Sequence, residues 1–440
     1  MSIVHSSAGS DFSEQDDGRE ISSCSRRPIT RRDALHTLAG ASAALAACGS
    51  LRADPAKSTA KQVLFVWLDG AMSQFESWDP KPGTRFGGPF QAIQSKLPGV
   101  VLSELMPQMA QRMDRFSVVR SMHTKYEDHS KGVIPIQQGD PKNRGVTYPL
   151  LGSAVVKLLD ATRNELPPYI HIKPGSGGFM FQDAGFLGPK YGALALGDGK
   201  APPNLVAPRE AEASRADRRK QIRDRLNSRF AQGRSAEASD AYNHTYRIAE
   251  QMARNAKLFD SEGLLPQDVA RYGGSQFGRH LLQARQLIEA GVTFVKVTMY
   301  HWDTHGDNFN CHLDGVTQVD MALSALLDDL KDRGLYDQTL VLVLSEFGRT
   351  PKINARVGRD HWPECWSLGL GGGGIRTGIV LGKTNDLGTF NAQDEFDIGH
   401  VYHTVFRALG IDAALEEYDN GGQPLPIAHE GYQAIADLLA

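Results

Sequence analysis

The sequence predicts an α/β protein built on a largely parallel central sheet. Two continuous apolar runs, residues 63–68 and 340–344, carry the pattern of strands buried on both faces. Amphipathic helical stretches alternate with such strands, the arrangement that builds parallel sheets. Each of the two runs also ends in a carboxylate, Asp69 after the first and Glu346 after the second. Open α/β sheets bind ligands just past the carboxyl ends of their strands.

The chain has 440 residues, 41% hydrophobic and 22% charged, enough for a large core. Its formal net charge of −3, with basic tracts confined to the N-terminal region and residues 208–234, argues against nucleic acid as a partner. Four cysteines, Cys24, Cys48, Cys311 and Cys365, contain no CxxC pair, and a Cys311–Cys365 disulfide is left open.

Residues 1–29 are polar and read as disordered. Arg31-Arg32 then precede a small-residue apolar run over 37–47, too short to span a bilayer, which needs about 20 residues. The pattern resembles a twin-arginine export signal. Leu45-Ala46-Ala47-Cys48 resembles a bacterial lipobox, with Cys48 as the lipid-bearing residue. Residues 1–47 are therefore expected to be a disordered, exported signal segment, 48–60 a linker, and 61–440 one α/β domain. The route leads to the periplasm or to a lipid anchor at the cell envelope.

The first strand is expected over residues 61–68, with Asp69-Gly70 at its end; an aspartate capping the next helix fits Asp69 equally. Another strand at 116–121 runs into His123-Thr124-Lys125-Tyr126-Glu127-Asp128-His129-Ser130, read as a loop through Gly132. A hydroxyl and two histidines after a strand end make a candidate nucleophile loop, with Thr124 the first choice and Ser130 the second; an ordinary polar surface loop is the competing reading. A strand follows at 168–172, then a Gly-rich irregular stretch at 179–199. Residues 206–262 are charged and Ala-rich, and predict a helical insertion whose arginines form a solvated face. A better amphipathic helix spans 277–290.

The strand at 291–299 ends in His301-Trp302-Asp303-Thr304-His305, the densest group of potential ligands in the chain. His312 is expected to open the next helix, which Gly334 stops. After Glu346 a Pro-containing loop delivers Arg359-Asp360-His361. A Gly-rich strand over 368–374, a turn near 379–382 and a helix over 400–409 complete the domain.

With a parallel sheet, Asp69, Asp303, His305, Glu346 and His361 share one sheet edge. Several carboxylates in one pocket stay ionised only with positive charge among them, from arginines or divalent cations. Mixed Asp/Glu/His ligation suits Zn²⁺, Mn²⁺ or Fe rather than Ca²⁺ or Mg²⁺. One or two such ions would polarise a phosphoryl or sulfuryl oxygen. Arg349 belongs to the same edge, while Glu346 also fits a cap or salt bridge and His361 a plain loop histidine.

Several strings resemble the DUF1501 family: Trp302-Asp303-Thr304-His305, Glu346-Phe347-Gly348-Arg349-Thr350-Pro351, Gly358-Arg359-Asp360-His361-Trp362-Pro363, and Asp69-Gly70 with Trp78-Asp79-Pro80-Lys81-Pro82. The resemblance covers roughly residues 61–430. It implies exported bacterial proteins with a fold similar to the alkaline phosphatase and sulfatase superfamily, hence a three-layer αβα sandwich. It further implies Asp69, Asp303, His305, Glu346 and His361 as metal ligands and Thr124 as nucleophile at the start of the helix after the second core strand. The chain departs from that superfamily in having Glu346-Phe347 where an Asp-His pair is usual, which removes one imidazole. It also lacks the Cys/Ser-x-Pro-x-Arg sulfatase motif. The expected function is an exported metal-dependent hydrolase of phosphate or sulfate esters, with a small-molecule or polysaccharide substrate. The alternative is a non-catalytic envelope or polysaccharide-binding protein on the same scaffold.

Overall fold

β1 (Gln62–Leu68) runs through the interior of a nine-stranded sheet, and its alternating side chains feed two cores. Leu64, Val66 and Leu68 pack into one, Val63, Phe65 and Trp67 into the other, all at most 3% exposed. Each such large apolar side chain contributes roughly 1.5–3 kcal/mol on burial. This is why the strand reads as an unbroken apolar run rather than an alternating one. The computed structural model describes residues 60–139, 142, 144–163, 165–202, 213–232 and 236–440. The twin-arginine segment, Cys48 and nearly all of the linker lie outside the described residues, as do positions 206–212 of the insertion.

The other strands of this sheet before residue 345 are β2 (Ser117–Met122), β3 (Tyr169–Lys173), β4 (Gly178–Met180), β5 (Ala193–Gly197), β6 (Phe294–Met299) and β7 (Thr339–Leu344). A separate hairpin pairs β8 (Gly348–Ile353) with β9 (Arg359–Trp362). β10 (Trp366–Gly372) and β11 (Val380–Leu381) return to the main sheet. The order is β11-β2-β10-β7-β1-β6-β3-β5-β4. β10 runs antiparallel to both its neighbours and β4 antiparallel to β5, while the remaining pairs are parallel.

The described α-helices of eight residues or more are α1 (His129–Gln138), α2 (Leu151–Leu158), α3 (Ala213–Ala231), α4 (Ala236–Arg254), α5 (Gln276–Glu289), α6 (Asn308–Asp332) and α7 (Ile398–Ala408). α5 and α6 bury their apolar faces against one side of the sheet, and α1, α2 and α7 against the other. The result is a three-layer αβα sandwich, as expected, with α3 and α4 as the helical insertion. No described helix is long and apolar enough to cross a membrane.

Four local expectations are corrected. The loop read through Gly132 gives way to α1 at His129, because Asp128 caps it by accepting from Ser130 N and Lys131 N at 3.0 and 3.3 Å. The irregular stretch 179–199 contains the β5 strand and most of β4. The Pro-containing loop is the β8–β9 hairpin. α6 begins at Asn308, a full turn before His312. Cys311 is exposed and Cys365 buried, and both thiols are free.

Candidate metal centre

β1, β6 and β7 are adjacent and parallel, so the segments after them leave the sheet on one edge. These segments bring Asp69, Asp303 and Glu346 together. The turn after β1 needs glycine: Gly70 has φ 103°, and a Cβ there would stand 2.6 Å from the Asp303 backbone nitrogen. Gly70 N donates to Glu346 Oε1 at 2.9 Å, which ties the β1 turn to the end of β7.

α1 supplies the next group. His129, its first residue, places Nδ1 2.7 Å from Glu346 Oε1. Its ring lies 5.0 Å from that of Phe347 and its Nε2 3.3 Å from Asp303 Oδ1. The imidazole whose absence beside Glu346 was expected from the sequence is thus provided by another part of the chain.

The β8–β9 hairpin brings the rest. Arg349 and His361 are cross-strand partners in it. Arg349 is fully buried; its Nε donates to Ala71 O at 3.0 Å, and its Nη2 to Asp303 Oδ1 at 2.7 Å and to the Gly70 carbonyl. His361 Nε2 lies 3.1 Å from Asp303 Oδ1, and its Nδ1 contacts the Glu127 carbonyl. The hairpin is clamped from below by Arg359, whose Nη2 donates to Glu76 Oε1 at 2.8 Å in an ion pair closed to solvent on both sides.

His305 sits at the rim. Its Nδ1 is 2.6 Å from Asp360 Oδ1 and its Nε2 3.0 Å from His361 Nε2. Asp69 lines the same cavity, of about 770 Å³, with His129, Ser130, Asp303 and Glu346. One of its oxygens, however, accepts the Trp67 indole N–H at 2.6 Å. Thr124 is not brought in: it lines a separate small cavity with Asp397, Ile398 and Tyr432. The hydroxyl at the start of the helix after the second core strand is that of Ser130, because that helix begins five residues later than Thr124.

One ligand atom each from His129, Asp303 and His361 all lie within 4.8 Å of one another. His129 Nε2 and Glu346 Oε2 are buried without a hydrogen-bond partner. Buried polar atoms are ordinarily hydrogen-bonded, so these two stand out, His129 Nε2 with only a 3.3 Å approach to Asp303 Oδ1. A two-imidazole, one-carboxylate donor set suits Zn²⁺, Mn²⁺ or Fe, and the residues present fit such an ion. His129 is not among the ligands expected from the sequence; it enters because Asp128 caps a helix that starts there.

Charge is balanced accordingly. Burial pulls the Asp303 carboxyl up, but hydrogen bonds from Arg349 and His361 and the charges around it outweigh that and hold it far below its ordinary range. The two imidazoles move apart. The hydrogen bond to Glu346 raises His129, against burial, while burial lowers His361. Burial likewise lowers Arg349, opposed by Asp303.

The layers and this edge define an α/β sandwich with a His-Asp-His group at its strand ends. The chain belongs to the family described as protein of unknown function DUF1501, whose model matches residues 60–439. A search of curated proteins finds no match. Among solved structures it is similar to the lipoteichoic acid synthase LtaP from Listeria monocytogenes, at 8% identity over 85% of this chain and 76% of that one, TM-score 0.36. It is similar to the PsFucS1 sulfatase from Pseudoalteromonas sp., at 13% identity, 89% and 74% coverage, TM-score 0.35. It is also similar to the alkaline phosphatase of the Antarctic bacterium TAB5, at 11% identity, 80% and 98% coverage, TM-score 0.36. These likenesses are weak and assign no residue a role.

Proposed function

We propose that the protein is an exported metal-dependent hydrolase of phosphate or sulfate esters. The observation that carries this reading is the His129, Asp303 and His361 group, whose ligand atoms lie within 4.8 Å of one another and of which His129 and Asp303 line a cavity. A divalent ion held there would supply positive charge to polarise the ester's non-bridging oxygens and stabilise the charge that develops on them.

The chain's own groups divide the remaining work. Glu346 fixes the orientation of His129 through Nδ1 and so aims Nε2 into the group. Arg349 keeps Asp303 ionised as a ligand. Ser130 presents a hydroxyl to the cavity from the first turn of α1. Its Oγ donates to Asp128, the cap of the same helix, which holds the hydroxyl in place. Asp360 holds His305 by Nδ1, and His305 Nε2 lies 3.1 Å from Asp303 Oδ1 and 3.0 Å from His361 Nε2, so His305 would steady those two groups from the rim. Export by the twin-arginine route, with Cys48 as a lipid attachment point, completes the proposal and places the enzyme at the cell envelope.

The test is elemental analysis of protein purified without chelator, beside turnover of aryl phosphate and aryl sulfate esters. Bound Zn, Mn or Fe that is lost in His129→Ala and Asp303→Ala, together with turnover lost in the same variants, supports it. Folded wild type that neither carries nor takes up these ions overturns it.

A further inference from the structure

A second cavity, of about 250 Å³, adjoins the metal cavity, and the two share His301 and Cys311 in their walls. It lies where the N-terminal halves of α5 and α6 meet the end of β6, and Phe277, Met299 and Trp302 supply its apolar lining. The volume is several times the ~30 Å³ share of one water, so it takes a ring rather than a lone hydroxyl or ammonium group. His301, exposed at the common wall, has φ 82°, a costly conformation for a residue with a Cβ and one that clusters at functional sites.

The polar lining has no lysine or arginine among the described residues, and it has several acceptors. Gln276, at the start of α5, donates from Nε2 to Asp198 Oδ1 at 3.0 Å. Gln318, on α6, donates from Nε2 to Asp314 Oδ2 at 2.9 Å. Carboxylates only accept, so these bonds fix each amide with its nitrogen at the acid. Both Gln Oε1 atoms and the second Asp314 oxygen have no hydrogen-bond partner among the described residues. Tyr300 adds a phenol hydroxyl that is likewise unpaired among them.

This inventory selects a ligand. A second phosphate, sulfate or carboxylate would bring acceptors and negative charge against carbonyl oxygens and Asp314. A hydrocarbon chain would cover the same oxygens and give them no donor, which is costly. An ammonium group answers Asp314 but leaves Gln276, on the other helix, unserved. A ring with several uncharged hydroxyls donates in more than one direction and keeps C–H faces for the apolar lining.

We propose that this cavity is a subsite for an uncharged sugar ring, the alcohol part of an ester whose phosphate or sulfate group lies at the metal centre. The ester rests on the hydrolase reading above; the sugar rests on the cavity's own groups. Gln276 Oε1, Gln318 Oε1 and Asp314 accept from ring hydroxyls, and His301 stands where the ester linkage passes from one cavity to the other.

The test is ligand-observed NMR titration of the full chain with the methyl glycosides of glucose, galactose, mannose and fucose, beside choline and methyl glucuronide. No ester is present, so the readout needs neither turnover nor bound metal. Saturable binding of at least one neutral glycoside is expected, tighter than that of choline or the glucuronide. Gln276→Leu and Gln318→Leu, on different helices, should each weaken it about tenfold, the worth of one hydrogen bond whose donor is left unpaired. Thr317→Ala, on α6 outside the cavity, should leave it unchanged, and circular dichroism should show parental helicity in all three. No glycoside binding, tighter binding of choline or the glucuronide, or full retention in both leucine variants would overturn the subsite. Glycoside binding in a protein that turns over no ester would keep the sugar site and remove only the hydrolase reading. Turnover of aryl esters without glycoside binding would do the reverse.

Discussion

Arg349 and His361, cross-strand partners in one hairpin, end on the same atom, Asp303 Oδ1, at 2.7 and 3.1 Å. The hairpin therefore grips the carboxylate with a permanent cation and an imidazole at once. The gripped oxygen needs a full negative charge to hold both. Asp303→Asn keeps the shape and removes that charge. The expected results are loss of bound metal by elemental analysis and a stability loss of about 1–2 kcal/mol in urea unfolding. The value is below that of a closed pair because the Asp303 side chain is half-exposed.

Glu346 acts through His129 rather than by contact with substrate. Glu346→Gln preserves the carbonyl oxygen but weakens the hold on Nδ1. Metal affinity should fall about 10–100-fold, the usual loss when a ligand imidazole loses its outer partner. Competition with a chromogenic chelator measures it. An unchanged affinity would mean that His129 is oriented by α1 and Phe347 alone.

Gly70 is where the β1 turn and the loop of Asp303 touch. Gly70→Ala puts a methyl group 2.6 Å from a backbone nitrogen at φ 103°. The conformational penalty alone is roughly 1–2 kcal/mol, and relieving the contact moves Asp303 away from Arg349. Both a lower urea midpoint and a reduced metal stoichiometry are expected. A normal stoichiometry in the variant would show that the two loops move together.

Beneath α1, on the side of the sheet that carries Phe65 and Trp67, lies a buried ammonium with few partners. Lys296 Nζ donates to Gln137 Oε1 at 2.8 Å and lies over the Phe65 and Trp67 rings. Burial pushes it down to about 8, against the pull of Asp183 and Asp69. In the unfolded chain it titrates near ~10.4. Between those values the unfolded chain binds more protons than the native one, so this group's contribution to stability rises with pH across the window. Below about 8 its full cost is present. Lys296→Met should therefore be more stable than wild type at neutral pH by about 1–3 kcal/mol. The gap should close as pH climbs toward ~10. Chemical denaturation at a series of pH values reads that difference directly.

The parts of the fold that could be read from residues are those buried on both sides. Val63 to Leu68 and Leu340 to Leu344 announce themselves because no face of either strand meets water. β4 and β5 were lost in a Gly-rich stretch: Gly177, Gly192 and Gly197 are there because the chain passes within van der Waals reach of its own backbone, which sequence pattern does not show. Asp303, His361, Glu346 and Arg349 were legible as ligands or neighbours from their places after strands. His129 was not, because the short capped helix it opens carries Gly132 and Pro135 and reads as loop. Thr124 was chosen by distance along the chain from β2, and the intervening Asp128 cap shifts the helix start to a different hydroxyl. The contact between His129 and Glu346 joins residues 217 positions apart, which no local pattern reports.

The antiparallel strand β10 has a consequence for how the centre comes into being. Among the described strands β2 borders only β10 and β11 in the sheet, and β10 stands between β2 and β7. During synthesis, then, residues 117–122 emerge early but have no place to dock until residues 366–372 have followed. α1 hangs from the end of β2, so His129 cannot meet Asp303 on the ribosome while most of the last fifth of the chain is unmade. A nascent chain would hold its acidic groups and its imidazole apart until synthesis is nearly over, and only a protein close to full length could charge itself with metal.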